Sequence, residues 1–357
     1  MPTPDPNTPT PAEPTNSHEA PEPIAQPDQT DADDDRDEGS LASELLPIAS
    51  TLAGLGVLAA GIVALLRRLR TAQLRHRRPG TIPTPPPPEA GAAETLIRSA
   101  AAPTATEFIN LALRAMARDV IASHIPTPQV VGAHLTTDTL RVLLWTPHQD
   151  PPSGWRIDDE GRSWTIPTDT DIDRLRDKAA GVPAPYPALV TVGHGDHTQL
   201  LLDLEYLGAT QITGDPDDAT ATCYTMATEL AASSIADELQ IICIGFGTDL
   251  NHLERIHAID DLSEILPTLA AKAAAVARVA SPSPLQGRIS PVGSDTLDPI
   301  IVFHPTADAP DEAKQLLALA HGGKGVAAVV GYPTGDRWRL HVEDDTVRVD
   351  PLGQTYA

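Results

Sequence analysis

Hydrophobic and polar positions divide the chain into a polar N-terminal region, one long apolar run and a region of short, recurring apolar runs. Residues 1–44 have few apolar side chains and end among acidic residues. They are predicted to form a disordered, acidic, Pro-rich tail, because such a segment cannot bury enough surface to offset the entropy of ordering. Residues 45–66 contain no charged side chain. A helix of that length would span about 33 Å, close to the ~30 Å hydrocarbon core of a bilayer, so the run predicts a transmembrane helix.

The apolar run has a second interpretation as a cleavable signal peptide. The retained helix is favoured, because the preceding residues are acidic, the run is long and Arg67 follows where a cleavage site would be expected. Residues 67–91 are predicted to be a basic juxtamembrane segment followed by a Pro-rich linker. The basic side chains of this segment are Arg67, Arg68, Arg70, Arg75, Arg77 and Arg78.

The charge difference across the apolar run predicts its orientation. By the positive-inside rule, the N-terminal tail lies outside the cell membrane and the C-terminal part lies in the cytoplasm. We expect the arginines to contact the bilayer and its anionic headgroups. Nucleic acid is an alternative ligand for them, but their position beside a spanning helix favours lipid.

The short apolar runs after the linker predict a globular part with two segments. Residues 92–180 are predicted to form a small α+β segment, with helices on either side of Pro103 and two strand hairpins. Residues 181–357 are predicted to form an α/β domain with a mainly parallel sheet, because strand-like runs alternate with helical runs of about 10–18 residues. The helical runs lie near 217–234, 261–279 and 310–320.

Composition narrows the classes of function. The chain has 49 acidic and 25 basic residues and a net charge of -24, so direct binding to nucleic acid is not expected. Its two cysteines, Cys223 and Cys243, lie in apolar runs and are predicted to be free buried thiols. No CxxC motif or paired Cys/His cluster is present, so no metal site is expected.

A strand-like run that ends at Gly214, with a helical run just after it, has the layout of a phosphate-binding loop. The functional pattern GxxxxGK[ST] holds phosphates with backbone N–H groups and a lysine, and holds magnesium with a hydroxyl. Here Ala219, Thr220 and Ala221 replace the second glycine, the lysine and the hydroxyl residue. The pattern therefore predicts a degenerate phosphate loop.

Three acidic residues, Asp215, Asp217 and Asp218, lie where this loop would hold its anion. Carboxylates within a few ångströms of a bound polyphosphate would repel it. They are well suited to cap the N-terminus of the following helix and to complement its dipole. We therefore expect no nucleotide, metal or other cofactor at this position, and no catalytic residue.

The motif "SSIADELQIICIGFGTDL", which follows this turn and helix, resembles the FtsK/SpoIIIE-type ATPase domains, especially those of type VII secretion motors. In those motors the corresponding strand ends in an Asp-Phe-Gly-like sequence, whereas this chain has Gly245-Phe246-Gly247. Their next core strand ends with the acid of the second magnesium motif, and the matching strand here ends in His304. The resemblance implies a P-loop-NTPase-like fold without either half of the magnesium–phosphate machinery, and hence no enzyme activity.

The motifs "LLRRLRTAQLRHRRPGTIP", "PAPYPALVTVG", "LLLDLEYLGATQITGDP" and "ELQIICIGFG" are also similar to actinobacterial membrane proteins of the LysM/bacterial-transcriptional-activator-domain (BTAD) architecture. The chain departs from that architecture, because it has no LysM sequence, one predicted spanning helix and no helical activator domain. The family's peptidoglycan and transcriptional roles are therefore not carried over to any residue.

Two further motifs contain polar residues and are assigned to turns. The motif "GHGDH", with His194, Asp196 and His197, lies between two strand-like runs and is predicted to be a hairpin turn. The motif "HGGKG", residues 321–325, precedes a strand and is predicted to be a helix end followed by a loop.

Together these features predict a membrane-anchored, non-enzymatic module related to P-loop ATPases that docks an unknown cytoplasmic protein. Self-association into a homo-oligomer is left open. One alternative is a divergent nucleotide-binding ATPase or sensor related to FtsK and type VII secretion motors. Another is a cell-wall-sensing membrane protein linked to transcriptional regulation.

Overall fold

A computed structural model describes residues 103–356, apart from 196–197, 248–249, 251–252, 280, 282, 290–293, 322 and 344–345. The predicted tail, apolar run, basic segment and linker at residues 1–91, including the six arginines, lie outside the described residues. No helix within the described ranges is long and apolar enough to cross a membrane.

Helices and strands alternate along most of the described chain. The helices are α1 (Pro103–Ala122), α2 (Ile172–Ala179), α3 (Leu204–Leu207), α4 (Pro216–Ala232), α5 (Leu262–Arg278), α6 (Pro284–Ile289) and α7 (Ala313–Leu319). The strands are β1 (Val130–Thr136), β2 (Thr139–Leu144), β3 (Arg156–Asp158), β4 (Ser163–Pro167), β5 (Leu189–Gly195), β6 (Thr198–Asp203), β7 (Ala209–Gly214), β8 (Gln240–Ile244), β9 (Ile256–Ile259), β10 (Ile300–His304), β11 (Val326–Val330), β12 (Arg339–Glu343), β13 (Thr346–Asp350) and β14 (Gln354–Tyr356).

The first sheet is antiparallel and has the strand order β3-β4-β2-β1-β6-β5 within the described residues. The two hairpins predicted for the small segment are confirmed as β1–β2 and β3–β4. Strands β5 and β6 pair antiparallel with Gly195 opposite Thr198, so the hairpin predicted at the "GHGDH" motif is confirmed, while Asp196 and His197 lie outside the described residues. Because β5 and β6 belong to this sheet, the division at residue 180 does not coincide with the division between the sheets.

The second sheet has the strand order β14-β13-β12-β7-β11-β10-β8-β9 among the described residues. Its strands from β12 to β9 pair in parallel, and β13 and β14 add antiparallel pairs. The mainly parallel α/β sheet is therefore confirmed. Strands β12 and β13 pair antiparallel, but they do not form the sheet's edge, because β12 also pairs with β7 and β14 lies outside β13.

The sheets and helices stack in five layers. Side chains alternate between the faces of each strand. Leu200 and Leu202 of β6 therefore pack with α4, whereas Leu201 packs with α1. In the second sheet, Phe303 packs toward α4 and Val302 packs toward α5 and α7. Helix α4 thus lies between the two sheets, with α1 and the α5–α7 pair on the outer faces.

Helix α4 is buried along most of its length. Its C-terminal half, from Met226 to Ala232, is buried between the sheets. The free thiols of Cys223 on α4 and Cys243 on β8 are both buried, as predicted. A helix packed on two sides needs small and apolar residues around most of its circumference, which explains its weakly amphipathic, alanine-rich sequence.

One carboxyl group lies inside this layer. Both oxygens of Glu229 on α4 accept a hydrogen bond from the Thr191 backbone N–H at 3.1 Å, and Oε1 also accepts one from the Thr191 hydroxyl at 2.9 Å. The bonds from Thr191 favour the ionised form, but burial outweighs them and raises the pKa of Glu229 to about 8. The group is therefore mainly protonated in the folded protein at pH 7.

The buried Glu229 predicts that stability falls as pH rises. Its folded pKa of about 8 exceeds its ordinary value of 4.5, so the folded protein binds more protons between these values. Urea unfolding at pH 5, 6, 7 and 8 should therefore show a declining free energy of unfolding. The variant Glu229→Gln should have a shallower decline, whereas the control Glu238→Gln, at an exposed residue, should keep the wild-type slope. An unchanged slope in Glu229→Gln would contradict the assignment.

Candidate functional site

The predicted phosphate-site residues meet at the carboxyl edge of the second sheet. Gly214 ends β7, Gly245 follows β8 and His304 ends β10. Strands β7 and β10 flank β11, so their ends lie about 10 Å apart. This is the edge at which parallel α/β sheets bind ligands.

The connection from β7 to α4 is too short to form a phosphate loop. Gly214 still pairs with Val342 of β12, and the helix begins at Pro216, so only Asp215 separates strand from helix. A phosphate loop needs several residues whose N–H groups turn toward the anion. Here Asp215 is the N-cap, and its Oδ1 accepts a hydrogen bond from Asp217 N at 2.9 Å. The predicted capping is thereby confirmed for Asp215.

Gly214 is required by the close approach of a neighbouring strand. Its φ is 131°, and a Cβ atom would lie 1.8 Å from the Val342 carbonyl oxygen. Gly245 also has a positive φ, of 80°, but a Cβ atom there would have no neighbour within 4 Å. Gly214 therefore keeps β12 packed against the strand–helix junction and does not open a cradle.

The three positions that the sequence pattern matches to the second glycine, the lysine and the hydroxyl residue of a phosphate loop lie inside α4. Ala219 is buried in the layer between the sheets. The hydroxyl of Thr220 donates to the Pro216 carbonyl oxygen at 2.8 Å, and Ala221 is exposed on the helix. None of the three has the backbone geometry of a loop residue that faces an anion.

Exposed carboxylates surround this edge, and we call them the acidic rim. They follow the carboxyl ends of β7, β9, β10 and β12. The acidic rim consists of Asp215, Asp217, Asp218, Asp260, Asp261, Asp308, Asp311 and Glu343. Asp261 caps α5 as Asp215 caps α4, since its Oδ1 accepts from Ser263 N at 2.8 Å, and this bond lowers the pKa of Asp261.

His304 lies at the end of β10, where the sequence resemblance predicts the position of the second magnesium motif. Its side chain is 8% exposed and packs edge-on against Tyr332, with ring centroids 5.6 Å apart. Burial lowers the pKa of His304, so the imidazole is neutral at pH 7. Magnesium prefers oxygen ligands, and a neutral imidazole does not supply the negative charge of the missing acid.

A cavity lies at the opposite, amino-terminal edge of the parallel strands, where the two sheets meet. Its volume is about 770 Å³. We call four of its lining residues the floor cluster: Tyr186, Asp203, Glu205 and Arg288. All four are at least nine-tenths buried.

Helix α3 positions the two acids of the floor cluster. Asp203 caps this short helix by accepting from Glu205 N at 3.1 Å. Glu205 Oε2 accepts a hydrogen bond from Arg288 Nη2 at 2.6 Å. Burial, and then the charge of Glu205, raise the pKa of Asp203 to about 8, while Arg288 opposes the shift. Burial also raises the pKa of Tyr186.

Aromatic side chains line the mouth of this cavity. Trp145 packs edge-on against Trp338 with centroids 5.8 Å apart, and the Arg337 guanidinium carbon lies 4.3 Å from the centroid of Trp145. Tyr206 is partly buried on the same wall. The cavity therefore combines an aromatic mouth with a polar, charged floor.

Sequence reasoning missed the cavity. Its only local signal is the pair Asp203 and Glu205 within the otherwise apolar "LLLDLEYLG". Tyr186 and Arg288 reach the same floor from distant parts of the chain, and no local pattern predicts that pairing.

No protein-family model and no curated protein match the chain. Among solved structures, the chain is similar to the pCW3 conjugation coupling protein TcpA in its monomer form with ATPγS, with 10% identity over 68% of this chain and 94% of that one, and a TM-score of 0.35. It is also similar to the cytoplasmic domain of EssC, with 11% identity over 52% and 50% of the two chains and a TM-score of 0.33. Thermomonospora curvata EccC (ATPases 2 and 3), in complex with a signal sequence peptide, is similar with 14% identity, 56% and 47% coverage and a TM-score of 0.32.

The chain thus spans about half the length of the EssC and EccC chains that it resembles. At such identities and TM-scores, the likenesses assign no activity to the chain. The resemblance to the LysM/BTAD architecture finds no support in these comparisons.

The close approach at Gly214 predicts a large effect of a single methyl group. Gly214→Ala would place Cβ against the Val342 carbonyl and should destabilise the protein by roughly 2–4 kcal/mol, since backbone must move. Gly245→Ala is the matched control, with a positive φ but free space, and should cost only about 1 kcal/mol. Chemical unfolding measures both. Equal destabilisation in the two variants would show that the contact with β12 does not matter.

Proposed function

We propose that the chain is a non-enzymatic module, related in fold to P-loop ATPases, that docks a protein partner. The observation that carries this proposal is the closed junction between β7 and α4. One residue, Asp215, separates the strand from the helix, and its carboxylate accepts a hydrogen bond from the Asp217 N–H in the first turn of α4. A triphosphate would have to displace that carboxylate.

The electrostatics of the junction support the same conclusion. A helix N-terminus stabilises an anion by about 0.3–1 kcal/mol at an exposed site. Repulsion from one carboxylate at about 4 Å costs about 1 kcal/mol in water and more near the protein surface. Asp215, Asp217 and Asp218 together therefore outweigh the helix dipole, and the lysine that would offset them is absent from the motif.

The acidic rim suggests the chemistry of the partner. Its carboxylates are exposed around the carboxyl edge of the second sheet, so a surface rich in Lys and Arg would be complementary. Such an interface gains much of its association rate from charge and weakens as salt screens it. We therefore propose a basic protein surface as the partner, with the acidic rim as its docking site.

The predicted membrane anchor completes the proposal. Residues 45–66 would span the cell membrane, with the tail outside, and the arginines from Arg67 to Arg78 would contact anionic lipid. The linker would then hold the docking surface in the cytoplasm near the bilayer. Self-association would align several acidic rims at the membrane.

Calorimetric titration of the full chain with Mg-ATP and Mg-GTP tests the closed junction. We expect no binding heat up to millimolar nucleotide, because the cap and the acidic residues exclude phosphates. Micromolar binding would overturn this account and favour the divergent nucleotide-binding ATPase or sensor. That alternative is kept because the carboxyl ends of β7 and β10 lie at the same edge, as a nucleotide site would require.

Neutralising the acidic rim tests the docking surface. Asp217→Asn with Asp218→Asn should weaken capture of a cross-linked partner several-fold and reduce its salt dependence, since two rim charges are lost. The matched control is Asp150→Asn with Asp177→Asn, two exposed acids outside the acidic rim. Quantitative affinity capture of all three proteins at 50 and 300 mM salt measures the effect. An equal loss of partner capture in both double variants would show that the acidic rim has no specific role in docking.

A further inference from the structure

The floor cluster holds two buried carboxyl groups and one buried cation. Asp203 and Glu205 are 4% and 3% exposed, and Arg288 is 4% exposed. Arg288 binds Glu205 and donates its other described hydrogen bonds to the carbonyls of Pro185 and Leu297. Asp203 accepts from backbone N–H groups of α3 and has no ion pair among the described residues. A buried carboxyl without a cation is a position where a positive ligand group would be stabilised.

A second buried polar group in the cavity also lacks a partner. Tyr186 lines the cavity and is 6% exposed, and its hydroxyl has no hydrogen-bond partner within the described residues. Buried hydroxyls are normally hydrogen-bonded, because desolvation without a bond is unfavourable. A ligand that both donates and accepts near Asp203 would satisfy this hydroxyl.

The size and walls of the cavity fit a small organic molecule. A volume of about 770 Å³ lies within the range of small-molecule sites. Trp145 and Tyr206 offer partly buried aromatic surface on its wall. The Arg337 guanidinium carbon lies 4.3 Å from the Trp145 ring centroid and occupies one face of this ring, so the ligand's body would contact the remaining surface of Trp145.

We propose that the cavity binds a small organic amine. Its ammonium group lies between the Asp203 carboxylate and the Tyr186 hydroxyl, and its apolar or aromatic body packs against Trp145 and Tyr206. Binding forms no covalent bond. The ammonium keeps its protons, and Asp203 releases its proton to solvent as it becomes the counter-ion.

The charges around Asp203 support this proton release. Burial and then Glu205 raise the pKa of Asp203 to about 8, against the opposing effect of Arg288, so Asp203 is mainly protonated at pH 7. Lys272 interacts electrostatically with Glu205 and Arg288. An ammonium group beside Asp203 adds the missing positive charge and lowers the pKa of Asp203 again.

Other ligand classes fit the cavity less well. An anion would meet Glu205, whose charge Arg288 already offsets. A metal ion is not supported, because the described residues contain no group of three His, Cys, Asp or Glu side chains that could hold one. A cationic molecule matches both Asp203 and the aromatic wall.

Tyramine and tyrosol form a matched pair of probes, because they differ in an ammonium against a hydroxyl group. Calorimetry with the full chain at pH 7, in phosphate and in Tris, measures affinity and protons exchanged. We expect tyramine to bind at least about tenfold more tightly than tyrosol and to release close to one proton. Equal affinity of the pair, or failure of tyramine, benzylamine and agmatine all to bind, would overturn the proposal.

Three variants locate the interaction. Asp203→Asn mimics the protonated carboxyl, so it should keep the fold but lose the preference for tyramine and the proton release. Tyr186→Phe removes a hydroxyl that has no described partner, so it should keep the fold and weaken tyramine several-fold. Asp336→Asn, at an exposed acid of the same cavity, is the control and should bind as wild type. Unchanged tyramine binding in both Asp203→Asn and Tyr186→Phe would refute the proposed site. If one variant fails to fold, tyramine binding by the other variant tests the site.

Discussion

The position of α4 between two sheets is the constraint on which the rest of the structure depends. The helix packs against β5 and β6 of the first sheet and against the parallel strands of the second. Its N-terminus is fixed by Gly214, whose backbone meets the Val342 carbonyl, and by the Asp215 cap. A helix fixed on both sides cannot retreat to admit a longer loop, so the strand–helix junction is closed.

This constraint gives the two edges of the second sheet different properties. At the carboxyl edge, the short connections from β7 to α4 and from β9 to α5, with their capping aspartates, leave exposed negative charge and form no cradle for an anion. At the amino edge, the chain passes from β6 of the first sheet through α3 to β7 of the second sheet. Polar groups are therefore buried where the two sheets meet. The cavity with Asp203 and Glu205 is a consequence of that crossing. The proposed docking surface for a protein and the proposed site for a small molecule therefore lie at opposite edges of the second sheet.

Local sequence patterns predict much of this fold, because strand alternation, helical periodicity and helix capping depend on residues close together in the chain. Alternating apolar residues gave the hairpins, and helical runs gave α4, α5 and α7 to within a few residues. The cap at Asp215 followed from the preference of aspartate for bare N–H groups. Strand β9, of four residues, carries too little pattern to be recognised, and the pairing of β6 with β1 depends on contacts far apart in sequence. The cavity was missed for the same reason, since Tyr186 and Arg288 approach α3 only in the folded chain. The membrane anchor remains a prediction, because it lies outside the described residues.

The closed junction is tested most directly by a crystal structure of the protein grown with millimolar magnesium and a non-hydrolysable ATP analogue. The account predicts that Asp215 still caps α4, with its carboxylate on Asp217 N, and that no nucleotide lies beside Gly214. A triphosphate seated at the N-terminus of α4, with the Asp215 side chain displaced, would contradict it.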